Sequence, residues 1–121
     1  MSAARELGSR RRNLPAPPHV VFEDLVAPTR NTIRPWLHLL DDEVAPVVLE
    51  AREPDLVVWS SLWPRLPDAR IRFDLPARSN GTDLRWTLTV DGDPPDASTT
   101  GHLRKRINVL INANLRYTYG Q

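Results

Sequence analysis

The sequence predicts an α+β fold: a curved antiparallel sheet wrapped around one long C-terminal helix, with two short helices near the N-terminus. Three observations carry this. The hydrophobic period changes along the chain, from helical spacing before Asp41 to strand spacing after Pro46. Two alternating segments flank Asn80-Gly81, a strong short signal for a hairpin. The chain closes on one amphipathic stretch from Ala97 to Tyr117. A helix of about 20 residues is roughly 30 Å long at 1.5 Å per residue. It can lie across the concave side of a small sheet and leave a cavity between the two, and a cavity implies a small apolar ligand.

The elements follow in order. Residues 1–8 read as a tail. Ser9 to Leu14 reads as a first strand, ended by Pro15, Pro17 and Pro18. Those prolines suit a helix start, where the first N–H groups have no intrahelical partner. His19 to Val26 is the first short helix, with Val21, Phe22 and Leu25 on one stripe, and Pro28 ends it. Ile33, Trp36, Leu37 and Leu40 fall at i, i+3, i+4 and i+7 and predict a second short helix. Asp41-Asp42-Glu43 follows as a solvated acidic turn.

Strands come next. Val47 to Ala51 is rich in β-branched residues, Glu53-Pro54-Asp55 turns, and Leu56 to Trp63 forms the following strand. Ile71, Phe73 and Leu75 alternate with Arg70, Arg72 and Asp74. After the Ser79-Asn80-Gly81 turn, Leu84, Trp86, Leu88 and Val90 alternate with Arg85, Thr87 and Thr89. These two strands pair antiparallel, with Phe73 and Trp86 on one face. The final helix takes Asp96 or Ser98 as its N-cap. Leu103, Ile107, Leu110, Ile111 and Asn114 form its inner face, and Gly120 marks its end. Gly101 is a local weakness of about 1 kcal/mol against alanine.

Composition narrows the function classes. The 121 residues suit a single domain able to bury its own core. Cysteine is absent, which removes disulfides, thiol catalysis and thiolate metal sites. Sixteen basic residues face 15 acidic ones, so no basic excess marks a nucleic-acid binder. The local basic runs are Arg10-Arg11-Arg12 and Arg104-Lys105-Arg106. No run of 18 apolar residues predicts membrane insertion. The basic N-terminal stretch lacks the apolar core of a signal peptide, so the expected location is cytoplasmic.

Pro17-Pro18-His19-Val20-Val21-Phe22-Glu23-Asp24-Leu25 resembles the "ASPEEVWEAL" opening of the START-like, or SRPBCC, superfamily. That superfamily includes polyketide cyclases and Bet v 1-like proteins. Gly81-Thr82-Asp83-Leu84-Arg85-Trp86 resembles its "GGTRLTL" hairpin strand. The resemblance covers residues 9–118 and implies one START-like domain over residues 9–121 with a helix-grip fold. In that fold, sheet and last helix enclose a hydrophobic cavity. The chain departs from the pattern in showing five strands where six or seven are usual, which implies a smaller or edge-open cavity.

The candidate ligand-binding residues are Trp59, Ser61, Trp63, Phe73, Trp86, Ile107, Leu110 and Asn114. A tryptophan buries about 150–250 Å², so each indole also serves as ordinary core. Ser61 shares a strand face with Trp59 and Trp63 if that strand stays regular. Asn114 is the polar group on an otherwise apolar helix face, and needs a partner in either role. His19, His38 and His102 have no metal-ligand spacing, and no cofactor or metal is expected. The predicted function is therefore the binding of a small hydrophobic or aromatic metabolite by a monomer or homodimer. One alternative is an enzyme of the cyclase/aromatase kind, which needs a titratable group inside the cavity. The other is a protein-interaction or stress-related regulatory module, marked by an exposed apolar patch.

Overall fold

A computed structural model describes residues 4–120. Six antiparallel strands form one sheet: β1 (Arg5–Leu14), β2 (Val48–Arg52), β3 (Leu56–Ser60), β4 (Ala69–Asp74), β5 (Ala77–Arg78) and β6 (Gly81–Val90). The spatial order is β1-β6-β4-β3-β2, with the short β5 pairing beside β6. Helix α1 (Pro18–Val26) follows β1. A long helix, α2, covers the concave face. It is α-helical over Ala97–Asn108, π-helical over Val109–Leu115 and α-helical again over Arg116–Thr118. This is the helix-grip arrangement that the sequence predicts.

Strand β1 begins at Arg5, not at Ser9. Arg5 pairs with Val90 and Gly8 with Leu88, so residues 5–8 of the expected tail belong to the sheet. Residues 1–3 of that tail lie outside the described residues. The strand was hidden because its inward positions, Gly8, Arg10 and Arg12, carry no apolar alternation. The ten-residue β6 supplies the pairing instead.

The predicted β4–β6 pairing forms, with Phe73 opposite Trp86 and Ile71 opposite Leu88. The tight turn is Ser79-Asn80, because Arg78 already pairs with Gly81. Gly81 has φ 146°, and a Cβ there would run into the Leu14 carbonyl, so only glycine fits. Asp96 is the N-cap of α2: its Oδ1 accepts the Thr99 N–H at 2.7 Å.

The second short helix does not form, and residues 31–40 are irregular. Asn31 Oδ1 accepts the Ile33 and Arg34 N–H groups at 3.1 and 2.8 Å, which resembles a helix start. Pro35 then biases Arg34 away from helical backbone, and the turn does not propagate. The stripe is split as a result: Trp36 is 2% exposed, Ile33 90% and Leu40 45%.

Trp59, Phe73, Trp86, Leu84 and Leu88 from the sheet meet Leu103, Ile107, Leu110, Ile111 and Leu115 from α2 in one core. Helix α1 adds Val21, Phe22 and Leu25. Trp59 Nε1 donates to the Leu25 carbonyl at 2.8 Å and ties α1 to the sheet.

Candidate functional site

The centre of the grip is filled by side chains. Trp36 stacks on Trp59 with ring centroids 6.0 Å apart, and Trp59 meets Phe73 edge-on at 4.8 Å. Ile107 and Leu110 close over them from α2, and all five residues are buried. Four of the predicted ligand contacts, Trp59, Phe73, Ile107 and Leu110, thus sit together here, against one another.

Of the other four, Trp86 shares this core, and Ser61, Trp63 and Asn114 lie towards its margins. β3 ends at Ser60, so Ser61 leaves the strand face. Its Oγ accepts the Trp63 N–H and donates to the Trp63 carbonyl, both at 3.0 Å, and so fixes the bend that carries Trp63. Asn114 is turned to the rim of an outer groove shared with Ile33, His38 and Tyr117. The cause is the π-helical stretch. Its i→i+5 bonding brings Leu110 and Leu115 to the core and rotates Asn114 away from the face that 3.6-residue spacing assigned to it. Trp86 forms part of a cleft between β1 and α2.

Trp63 walls an apolar crevice of about 200 Å³ between the first half of α2 and the loop after β3. Leu66, Pro95 and Leu103 complete its apolar lining, while Asp42, Arg65, Thr99 and His102 stand around it. The indole is held rigidly. Trp63 Nε1 donates to Glu43 Oε2 at 3.1 Å. Arg106 donates to the same carboxylate twice, Nε to Oε2 at 2.9 Å and Nη2 to Oε1 at 2.8 Å. The Leu40 N–H supplies a fourth bond at 2.8 Å, and Arg106 Nη2 also reaches the His38 carbonyl at 3.0 Å. Burial pushes the Glu43 carboxyl up. Hydrogen bonds from Arg106, Leu40 and Trp63 outweigh it and hold the group below its ordinary value. Hydrogen bonding to Glu43 raises Arg106 in turn. Glu43 is therefore a saturated carboxylate of low basicity, which positions Trp63 and is poorly suited to accept a proton from a ligand.

The sequence reading missed this network. Glu43 ends an acidic run that looks like a solvated turn, yet it is 7% exposed. One signal was available: Arg106 falls on the apolar stripe of Leu103, Ile107 and Leu110, where a charge must find a partner. A second, part-buried set joins α1 to the end of α2. Tyr119 Oη donates to Asp24 Oδ2 at 2.6 Å, and Arg30 Nη2 pairs with Asp24 Oδ1 at 2.9 Å. Burial, then the bond to Asp24, raises the Tyr119 phenol far above its ordinary value. Glu50, Arg52 and His38 are exposed.

Among the described residues, no group of three or more His, Asp or Glu could hold a metal ion, and no helix is long and apolar enough to cross a membrane. No family model matches the sequence, and no curated protein matches it. Solved structures do match in fold. CalU16 from Micromonospora echinospora aligns with a TM-score of 0.59 at 16% identity, over 91% of this chain and 82% of its own. The Aha1 dimer from Colwellia psychrerythraea gives 0.63 at 14% identity, over 92% and 93%. An AHSA1-like protein from Rhizobium etli gives 0.55 at 19% identity, over 93% and 81%.

Proposed function

We propose that this chain, which has the START-like helix-grip fold, is a binding module for a small, flat apolar molecule and does no acid–base chemistry. The observation that carries this is the crevice walled by Trp63, Leu66, Pro95 and Leu103. A cavity of about 150 Å³ holds benzene, so the 200 Å³ found here suits a substituted single ring. Pocket walls that are mostly apolar with a few polar groups at the rim are the usual form of a small-molecule site. The rigid bracing of Trp63 lowers the ordering cost of binding. The saturation of Glu43 weighs against the cyclase alternative, because the nearest buried carboxylate already accepts four hydrogen bonds.

The test is a fluorescence titration of the protein with a single-ring apolar probe such as toluene. Saturable perturbation of the tryptophan emission is expected, with loss of binding in Thr99→Phe, which fills the crevice from its exposed rim. An unchanged titration in Thr99→Phe, or no saturation in the parent protein, would refute the site.

A second reading has its own observation. Val44, Val47 and Leu49 are 45%, 64% and 48% exposed along the edge strand β2 and the segment before it. An open, apolar sheet edge favours pairing with another chain, here a second copy. Sedimentation should then show a concentration-dependent dimer that Leu49→Lys abolishes. A monomer at all concentrations would exclude it.

A further inference from the structure

We propose that the cleft between β1 and α2 is a second site, distinct from the apolar crevice, that binds a small phosphorylated molecule. The cleft measures about 330 Å³ and is lined by Arg10, Trp86, Gly101, Arg104, Lys105 and Asn108. Arg10 faces inward because it pairs with Trp86, and Arg12, two residues on, shares that side. None of Arg10, Arg12, Arg104 and Lys105 forms an ion pair among the described residues. Four cations are thus gathered where the sheet meets the helix, at a cost in mutual repulsion that an anion would relieve.

The polar lining consists of donors. Asn108 Oδ1 accepts from Arg12 Nε at 2.8 Å, and the amide nitrogen of Asn108 is a free donor. Trp86 supplies the independent observation. The residue is 1% exposed, and its Nε1 is the one buried side-chain nitrogen or oxygen without a partner among the described residues. An unsatisfied buried donor is costly, and a small shift of the surrounding side chains around a ligand would open it to a ligand oxygen. Two glycines shape the space. A Cβ on Gly8 would come within 2.6 Å of Arg104 Nε, so Gly8 lets that side chain lie across the strand. Gly101 has open space where a side chain would stand. Several unpaired cations with an indole donor suit a phosphate dianion better than a singly charged carboxylate. The remaining volume accommodates the small group that carries it.

The test is a titration of the ¹⁵N-labelled protein with glycerol 3-phosphate, followed on the indole N–H signals. The expected result is a saturable shift of the Trp86 signal, competition by inorganic phosphate, and no response to glycerol. Arg10→Ala with Arg104→Ala should weaken binding by about tenfold or more, given the strength of charge-assisted hydrogen bonds. Gly8→Ala, which displaces Arg104 without removing a charge, should weaken it less. Sodium chloride at matched ionic strength should leave the Trp86 signal in place. A Trp86 signal unmoved by glycerol 3-phosphate, moved equally by glycerol or chloride, or moved equally in the double variant would overturn the proposal. So would tight binding of a single-stranded oligonucleotide with the Trp86 signal unmoved.

Discussion

Glu43 and Arg106 show how two buried charges stabilise a short region only as a pair. Removing one partner of a buried ion pair costs about 3–5 kcal/mol, because the other is left uncompensated. Glu43→Ala should therefore destabilise strongly in denaturant unfolding, and Glu43→Leu combined with Arg106→Met should recover most of the loss. The pair also sets a pH dependence. Glu43 is held below its ordinary value of 4.5 when folded, so its contribution is complete above that pH. It is lost as pH falls through the lower folded value. Acid unfolding of Glu43→Leu/Arg106→Met should begin at lower pH than in the parent. Tyr119 acts at the opposite end of the scale. Its folded value lies above the ordinary 10.0, so the neutral phenol stabilises below pH 10 and that contribution declines as pH rises further. Tyr119→Phe should lose about 1.5–3 kcal/mol, the usual worth of a hydrogen bond to a charged group, at neutral pH. It should also show a flatter alkaline decline in thermal melts across pH 9–12.

At the scale of elements, the β5–β6 turn depends on one backbone position. Gly81→Ala forces a strained φ and a clash with the Leu14 carbonyl, so a loss of at least about 1–3 kcal/mol is expected by chemical denaturation. Asn114→Leu, on the half-exposed outer face of α2, should change stability by no more than about 0.5 kcal/mol. These two residues also mark what the sequence discloses. The β4–β6 pair was legible because period-2 alternation and a turn signal agree there. The long helix was legible because Leu103, Ile107, Leu110 and Ile111 repeat at helical spacing. Its π-helical stretch was not, since i→i+5 bonding leaves no compositional mark. Asn114 was placed on the wrong face for that reason. The 33–40 segment carried a real helical stripe, and Pro35 overrode it. Of the candidate ligand contacts, only Trp63 reaches the apolar crevice. The crevice depends on loop and helix residues distant in sequence, such as Leu66, Pro95 and Leu103, which no local pattern joins.

At the scale of the molecule, the helix grip puts its largest side chains between sheet and helix and leaves its openings at the margins. One margin is apolar and braced by Glu43 and Arg106; the other is cationic and floored by Trp86. The four indoles thus report on three places: Trp36 and Trp59 on the closed core, Trp63 on the crevice, Trp86 on the cleft. The most direct measurement of the central claim is a ¹H–¹⁵N indole map of the protein titrated with toluene. The Trp63 signal should shift saturably while the Trp59 signal, locked to the Leu25 carbonyl, stays in place. A shift of the Trp59 signal without that of Trp63 would put the ligand inside the sheet–helix core and contradict the assignment of the crevice. A titration that moves none of the four signals would contradict apolar binding altogether.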